Sequence, residues 1–167
     1  MLTSSDQIRN LVARYVRNVD LRDHQAQIAL FSTDAAIRML SSSNGEEELR
    51  YGPLIGGAAF ADASAALRQA MPANRVDRHC TTDHLISIEG DIATLDAQFL
   101  VVRTEALDTG GCSTDIVETG HYRWAFRRDA HGWLACTLDI VLDSPVGQSA
   151  SKPKVSTDVQ HGSGSLA

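Results

Sequence analysis

Two residues of this chain have types that could move a proton together, Asp20 and His79. Asp20 lies four positions after Val16 and eight after Val12, so it extends an apolar helical stripe onto the side that should be dry. Burying an unpaired carboxylate is costly, so Asp20 needs a partner or a polar cavity. A strand beginning at Arg78 offers one. Its alternation puts His79, Thr81 and Asp83 on one face and Cys80, Thr82, His84, Ile86 and Ile88 on the other. A carboxylate against one imidazole nitrogen fixes the tautomer and raises the basicity of the other. The pair then becomes a general base able to remove a proton next to a carbonyl or a leaving group. The competing reading of the same two residues is a structural Asp–His hydrogen bond, or two unrelated surface side chains.

The elements that must position them follow from periodicity. Ile8, Leu11, Val12, Tyr15, Val16 and Val19 recur at helical spacing, with Thr3, Ser4 or Ser5 available as a cap and Asp6 near the positive end of the dipole. Asp23 caps a second helix over about 24–31 that buries Ile28 and Phe31, and His24 falls on its exposed side. A short strand over 36–40 precedes the polar segment "SSSNGEEELRYG", expected to be a loop. Phe60, Leu67 and Met71 space a third, Ala-rich helix. From Val76 the texture turns to β, with "RHCTTDHLISI" and "IATLDAQFLVV" joined by "EGD", then "DIVETGHYRWAFRR" and "WLACTLDIVLD" joined by "DAHG". The expected class is α+β: three helices in the N-terminal half, packed on a curved mixed or antiparallel sheet that encloses a pocket. The domain spans 3–143. The remainder, 144–167, is rich in Ser, Gly, Lys and Pro and is expected to be a flexible tail.

Composition narrows the partners. With 167 residues and 43% apolar content the chain can build one real core. A net charge of −6 without a basic stripe speaks against nucleic acid. No apolar run approaches the ~20 residues of a membrane span, and the polar start is not a secretory leader. Cys80, Cys112 and Cys136 are odd in number and irregularly spaced, which suits reduced thiols in the cytoplasm and gives no zinc-ligand pattern, so no metal is expected. Ala97, Phe99 and Val101 alternate with apolar Leu100 and Val102, so both faces of that strand need cover. A homodimer or homotrimer through the convex face of the sheet is therefore expected.

The segments "RYVRNVDLRD…LFSTDA", "RHCTTDHLISIEGDIATLDA" and "TGHYRWAFRRDAHGWL" together resemble the SnoaL-like branch of the nuclear transport factor 2-like superfamily over about residues 5–143. Within it the pattern is nearest the scytalone dehydratase and hexachlorocyclohexane dehydrochlorinase types. That resemblance implies a cone-shaped fold with a deep pocket, an Asp–His dyad at Asp20 and His79, and elimination of water or HCl without metal or organic cofactor. It also marks departures: Arg103 stands at a second catalytic histidine, Val19 and Met39 at two water-holding tyrosines, and Tyr122 at an asparagine. An arginine common in the last strand is missing around Thr137–Asp139.

The sequence thus points to a cofactor-independent lyase, dehydratase-like, acting on a small cyclic or polyketide-like molecule. Asp20 and His79 are the expected catalytic pair, and Tyr15, Met39, Phe99, Arg103, Tyr122 and Trp124 the expected substrate contacts. Isomerisation or cyclisation in the same pocket is one alternative; a non-catalytic ligand-binding domain is the other.

Overall fold

The computed structural model describes residues 2–69 and 72–143. Met71, the side chain of Leu67 and the expected tail at 144–167 lie outside the described residues. The element order is α1 (Ser4–Leu21), α2 (His24–Ile28), β1 (Phe31–Ser43), β2 (Glu46–Ile55), α3 (Gly56–Gln69), β3 (Arg75–Glu89), β4 (Ile92–Ala106), β5 (Cys112–Asp129) and β6 (Gly132–Leu142).

α1 starts with a reciprocal cap: the Thr3 hydroxyl accepts the Asp6 N–H at 3.2 Å, and the Asp6 carboxylate accepts the Thr3 N–H at 3.2 Å. The burial stripe is the one read from the sequence, Ile8, Leu11, Val12, Tyr15, Val16 and Val19. The helix stops at Arg22, which takes the left-handed conformation (φ 64°) while the Asp23 N–H returns to the Asn18 carbonyl at 2.9 Å. Asp23 then caps α2 by accepting the Ala26 N–H at 3.0 Å. α2 is shorter than expected: Gln27 is its buried residue, Ile28 and His24 are half-buried, and Phe31 already opens β1.

The expected polar loop is instead a hairpin. Asn44 (φ 54°) and Gly45 (φ 82°) make a tight left-handed turn, and β2 pairs back along β1 from Ser43–Glu46 to Ala36–Ile55. The sheet order is β2-β1-β6-β5-β4-β3, with only β1 and β6 parallel. One apolar cluster joins the α1 stripe to the inward rows of β1, β4, β5 and β6. Its centre is aromatic: Phe99 stacks on Tyr122 with ring centres 4.3 Å apart, and Tyr15 meets Trp124 edge-on at 4.9 Å. Each of these four residues is at most 4% exposed. Among the described residues no helix is long and apolar enough to cross a membrane.

Bulges bend the sheet. Between Thr82 and Leu85, β3 carries one residue more than β4 does between Gln98 and Asp96, and Asp83 sits there at φ 54°. This inverts the alternation downstream. His84, expected on the far face from His79, turns to the same face and meets the Thr81 hydroxyl at 3.1 Å; Asp83, expected beside His79, is exposed. Burial, followed by the charge of Arg9, holds the His84 imidazole below its ordinary pKa.

Candidate functional site

β3 is the last strand of the sheet, so one edge has backbone N–H groups unused by a neighbouring strand. α1 brings Asp20 to that edge. Its carboxylate accepts the His79 backbone N–H at 3.2 and 3.3 Å and meets the His79 Nδ1 at 2.7 Å. The backbone contact fixes the carboxylate, and the fixed carboxylate orients the ring. An ionised carboxylate only accepts, so the contact suits an Nδ1–H donor, and in the neutral ring that tautomer leaves the Nε2 lone pair free. Among the described residues no side chain hydrogen-bonds Nε2. The Asp20 side chain is 11% exposed and that of His79 20%, buried enough for a strong contact and open enough for a ligand to reach.

The pair borders a cavity of about 390 Å³ whose wall also includes Val19, Arg22, Ser64, Arg75, Asp77, Arg78 and Glu118. Other concavities of this size exist, including a groove of about 370 Å³ beside Asn10, Arg14 and Trp133. The dyad cavity is singled out by its convergent titratable groups rather than by size.

The six expected substrate contacts are placed elsewhere. Phe99, Tyr122 and Trp124 face the correct side of the sheet, but they fill the core, with Tyr15 of α1 packed directly onto Tyr122 and Trp124. Tyr122 hydrogen-bonds Tyr15; burial first, then the charges of Glu118 and Asp20, raises its pKa well above the ordinary phenol value. Met39 lines a separate apolar pocket of about 30 Å³ with Tyr51, Leu54 and Phe60. Arg103 is committed to Asp77 through Nε–Oδ1 at 2.9 Å and a second contact at 3.2 Å, and Arg75 grips the same carboxylate at 3.1 and 2.8 Å. None of the six lines the dyad cavity.

Glu118 is the residue that sequence reasoning missed. Its carboxyl is pushed above the ordinary Glu value, chiefly by burial; His79 opposes the rise and Asp77 adds to it. The native state therefore holds that proton more tightly than the unfolded chain, and stability falls as pH rises through the titration. We expect Glu118→Gln to gain stability over wild type as pH goes from acid to neutral, measured by urea unfolding at each pH. A constant difference across that range would contradict the shift.

The fold defines the class: a six-stranded curved sheet with few helices, of the nuclear transport factor 2-like kind. The chain belongs to the family described as the SnoaL-like domain, which it matches over residues 1–139. Among solved structures it is similar to a nuclear transport factor 2-like protein with a cystatin-like fold from Novosphingobium aromaticivorans, at 24% identity, TM-score 0.64, covering 88% of this chain and 84% of that one. It is also similar to the β subunit of a putative aromatic-ring-hydroxylating dioxygenase from the same organism, at 22% identity, TM-score 0.63, covering 83% and 88%. A Catenulispora acidiphila protein in complex with S-DNPA is similar at 18% identity, TM-score 0.65, covering 83% and 92%. No curated protein matches the chain significantly.

Proposed function

We propose that this protein is a cofactor-independent lyase that eliminates water from a small cyclic or polyketide-like substrate, with His79 as general base and Asp20 as the residue that orients it. The observation that carries this reading is the 2.7 Å contact between Asp20 and His79 Nδ1 at the edge of a cavity. Nε2 takes the carbon-bound proton, and the carboxylate stabilises the imidazolium that forms. The dyad is the one assigned by resemblance to the scytalone dehydratase and dehydrochlorinase types. Isomerisation is the second reading. Val19 and Met39, standing where that type has water-holding tyrosines, favour chemistry that needs no ordered water. The test is a panel of cyclic hydroxyketones, scored for thermal stabilisation and for new ultraviolet-absorbing products. Absorbing enones support elimination, rearranged ketones support isomerisation, and stabilisation without product identifies a binding domain.

We also infer that copies of this chain associate through the convex face. Across β3, β4 and β5 the outward rows bring together Cys80, Leu100, Val102 and Ile116, with Ile116 63% exposed. The expected result is a dimer or trimer by light scattering at micromolar concentration, dissociated by Ile116→Lys. A monomeric wild type contradicts it.

A further inference from the structure

The strand register places a second titratable group opposite the dyad. His79 pairs with Val101, and Val101 pairs with Glu118, so the three form one inward row across β3, β4 and β5. Cross-strand partners point to the same face, and two strand spacings separate the backbones of His79 and Glu118 by roughly 10 Å. Val101, 3% exposed, stands between them in that row as part of the packed core. Both His79 and Glu118 line the cavity. A small ring held in the cavity would therefore have imidazole on one side and a carboxyl on the other.

We propose that Glu118 is the proton donor of this site, protonating the leaving oxygen while His79 removes the carbon-bound proton from across Val101. This deepens the lyase reading and rests on it. The charged and titratable groups that act on Glu118 are Asp77 and His79 from β3, and Tyr122 of its own strand feels its charge. Among the described residues no Lys or Arg pairs with its carboxyl, because the nearby Arg75 and Arg103 are both bound to Asp77. A half-buried carboxyl without a cation holds its proton more tightly than an ordinary Glu, with burial as the chief cause and Asp77 adding to it.

The step balances. The C–H bond breaks and its proton goes to His79 Nε2, while its electron pair forms the second bond of the alkene. The C–O bond breaks with its electrons on oxygen, and the Glu118 proton completes a water molecule. The site is left with an imidazolium and a carboxylate. One proton passing between them through solvent resets it.

A proton donor matters for hydroxide and not for a stable anion, and that difference supplies the test. The probes are 3-hydroxycyclohexanone and 3-(4-nitrophenoxy)cyclohexanone, which give the same enone by losing water or nitrophenolate. Glu118→Gln is expected to slow the first about 10²-fold and to change the second by less than about threefold, whereas His79→Gln slows both. Glu118→Asp, which keeps the acid on a shorter arm, should recover part of the loss. Carbon-13 NMR of the wild-type Glu118 carboxyl should show titration above the ordinary Glu range, and still higher in His79→Gln, where the opposing imidazolium is gone. Equal slowing of both probes, no slowing of either, or an ordinary Glu118 titration overturns the donor while leaving the base in place. Failure of wild-type protein to turn over either probe overturns the elimination reading and the donor with it.

Discussion

Replacing His79 with Gln is expected to lower turnover by about 10²-fold or more, with ligand affinity little changed. Glutamine keeps much of the size and can still meet Asp20, but it has no basic ring nitrogen to take a proton. Asp20→Asn should give a loss of similar order for a different reason. The amide oxygen can still accept the His79 backbone N–H, now held at 3.2 and 3.3 Å, so the edge of β3 stays anchored and the fold survives. What disappears is the negative charge that favours the Nδ1–H tautomer and stabilises the imidazolium. The two side chains act as one unit at 2.7 Å, so the double variant should be scarcely worse than the poorer single one. The measurement is kcat and KM for all four proteins on a substrate from the hydroxyketone panel. Additive losses would show that the two residues contribute separately. Unchanged turnover in His79→Gln would remove the base altogether.

The Asp20–His79 contact was legible because nothing interrupts the patterns that define it. Six apolar residues of α1 stay in phase up to Asp20, and the β3 alternation is regular from Arg75 through Thr82. Beyond Thr82 the reading failed at a bulge. An extra residue reverses every later side chain, and alternation in sequence carries no mark of it except a residue type that tolerates φ 54°, here Asp83. The β1–β2 hairpin had a usable signal, Asn44-Gly45, hidden by the polar residues on both sides. Glu118 was also within reach. Counting back by twos from Tyr122 through Gly120 puts it on the inward face. What no sequence pattern could give was the destination of the aromatic rings. Phe99, Tyr122 and Trp124 are on the expected face, and whether they line a pocket or fill a core depends on how closely α1, with Tyr15, packs onto them. Arg103 likewise points inward, but its capture by Asp77 is a tertiary pairing that only the β3–β4 register discloses.

The same row explains why a single methyl group should be severe at Gly120, between Glu118 and Tyr122. Its backbone φ is unremarkable for a strand, so the demand for glycine comes from space. A Cβ there would collide with the Val141 carbonyl oxygen and lie 2.9 Å from the Phe99 ring. Neither neighbour yields easily. Val141 is main chain in β6, and the Phe99 ring is held at 4.3 Å by its stack on Tyr122. Relief requires β5 to part from β6 near the Gly120–Leu142 pair, where Thr119 also accepts the Asp143 N–H at 3.0 Å. We expect Gly120→Ala to destabilise the protein by about 3 kcal/mol, the upper end of overpacking effects. For a domain of this size that lowers the melting temperature by roughly 10 °C. Gly45→Ala provides the contrast, since nothing lies within 4 Å of a Cβ there and its cost is confined to the left-handed backbone at φ 82°, about 1 kcal/mol. Urea unfolding of both variants checks the difference. Because Glu118 lies two residues from the collision, folded Gly120→Ala should also lose turnover, and a variant as stable and active as wild type would mean that β5 and β6 are spaced more widely than described.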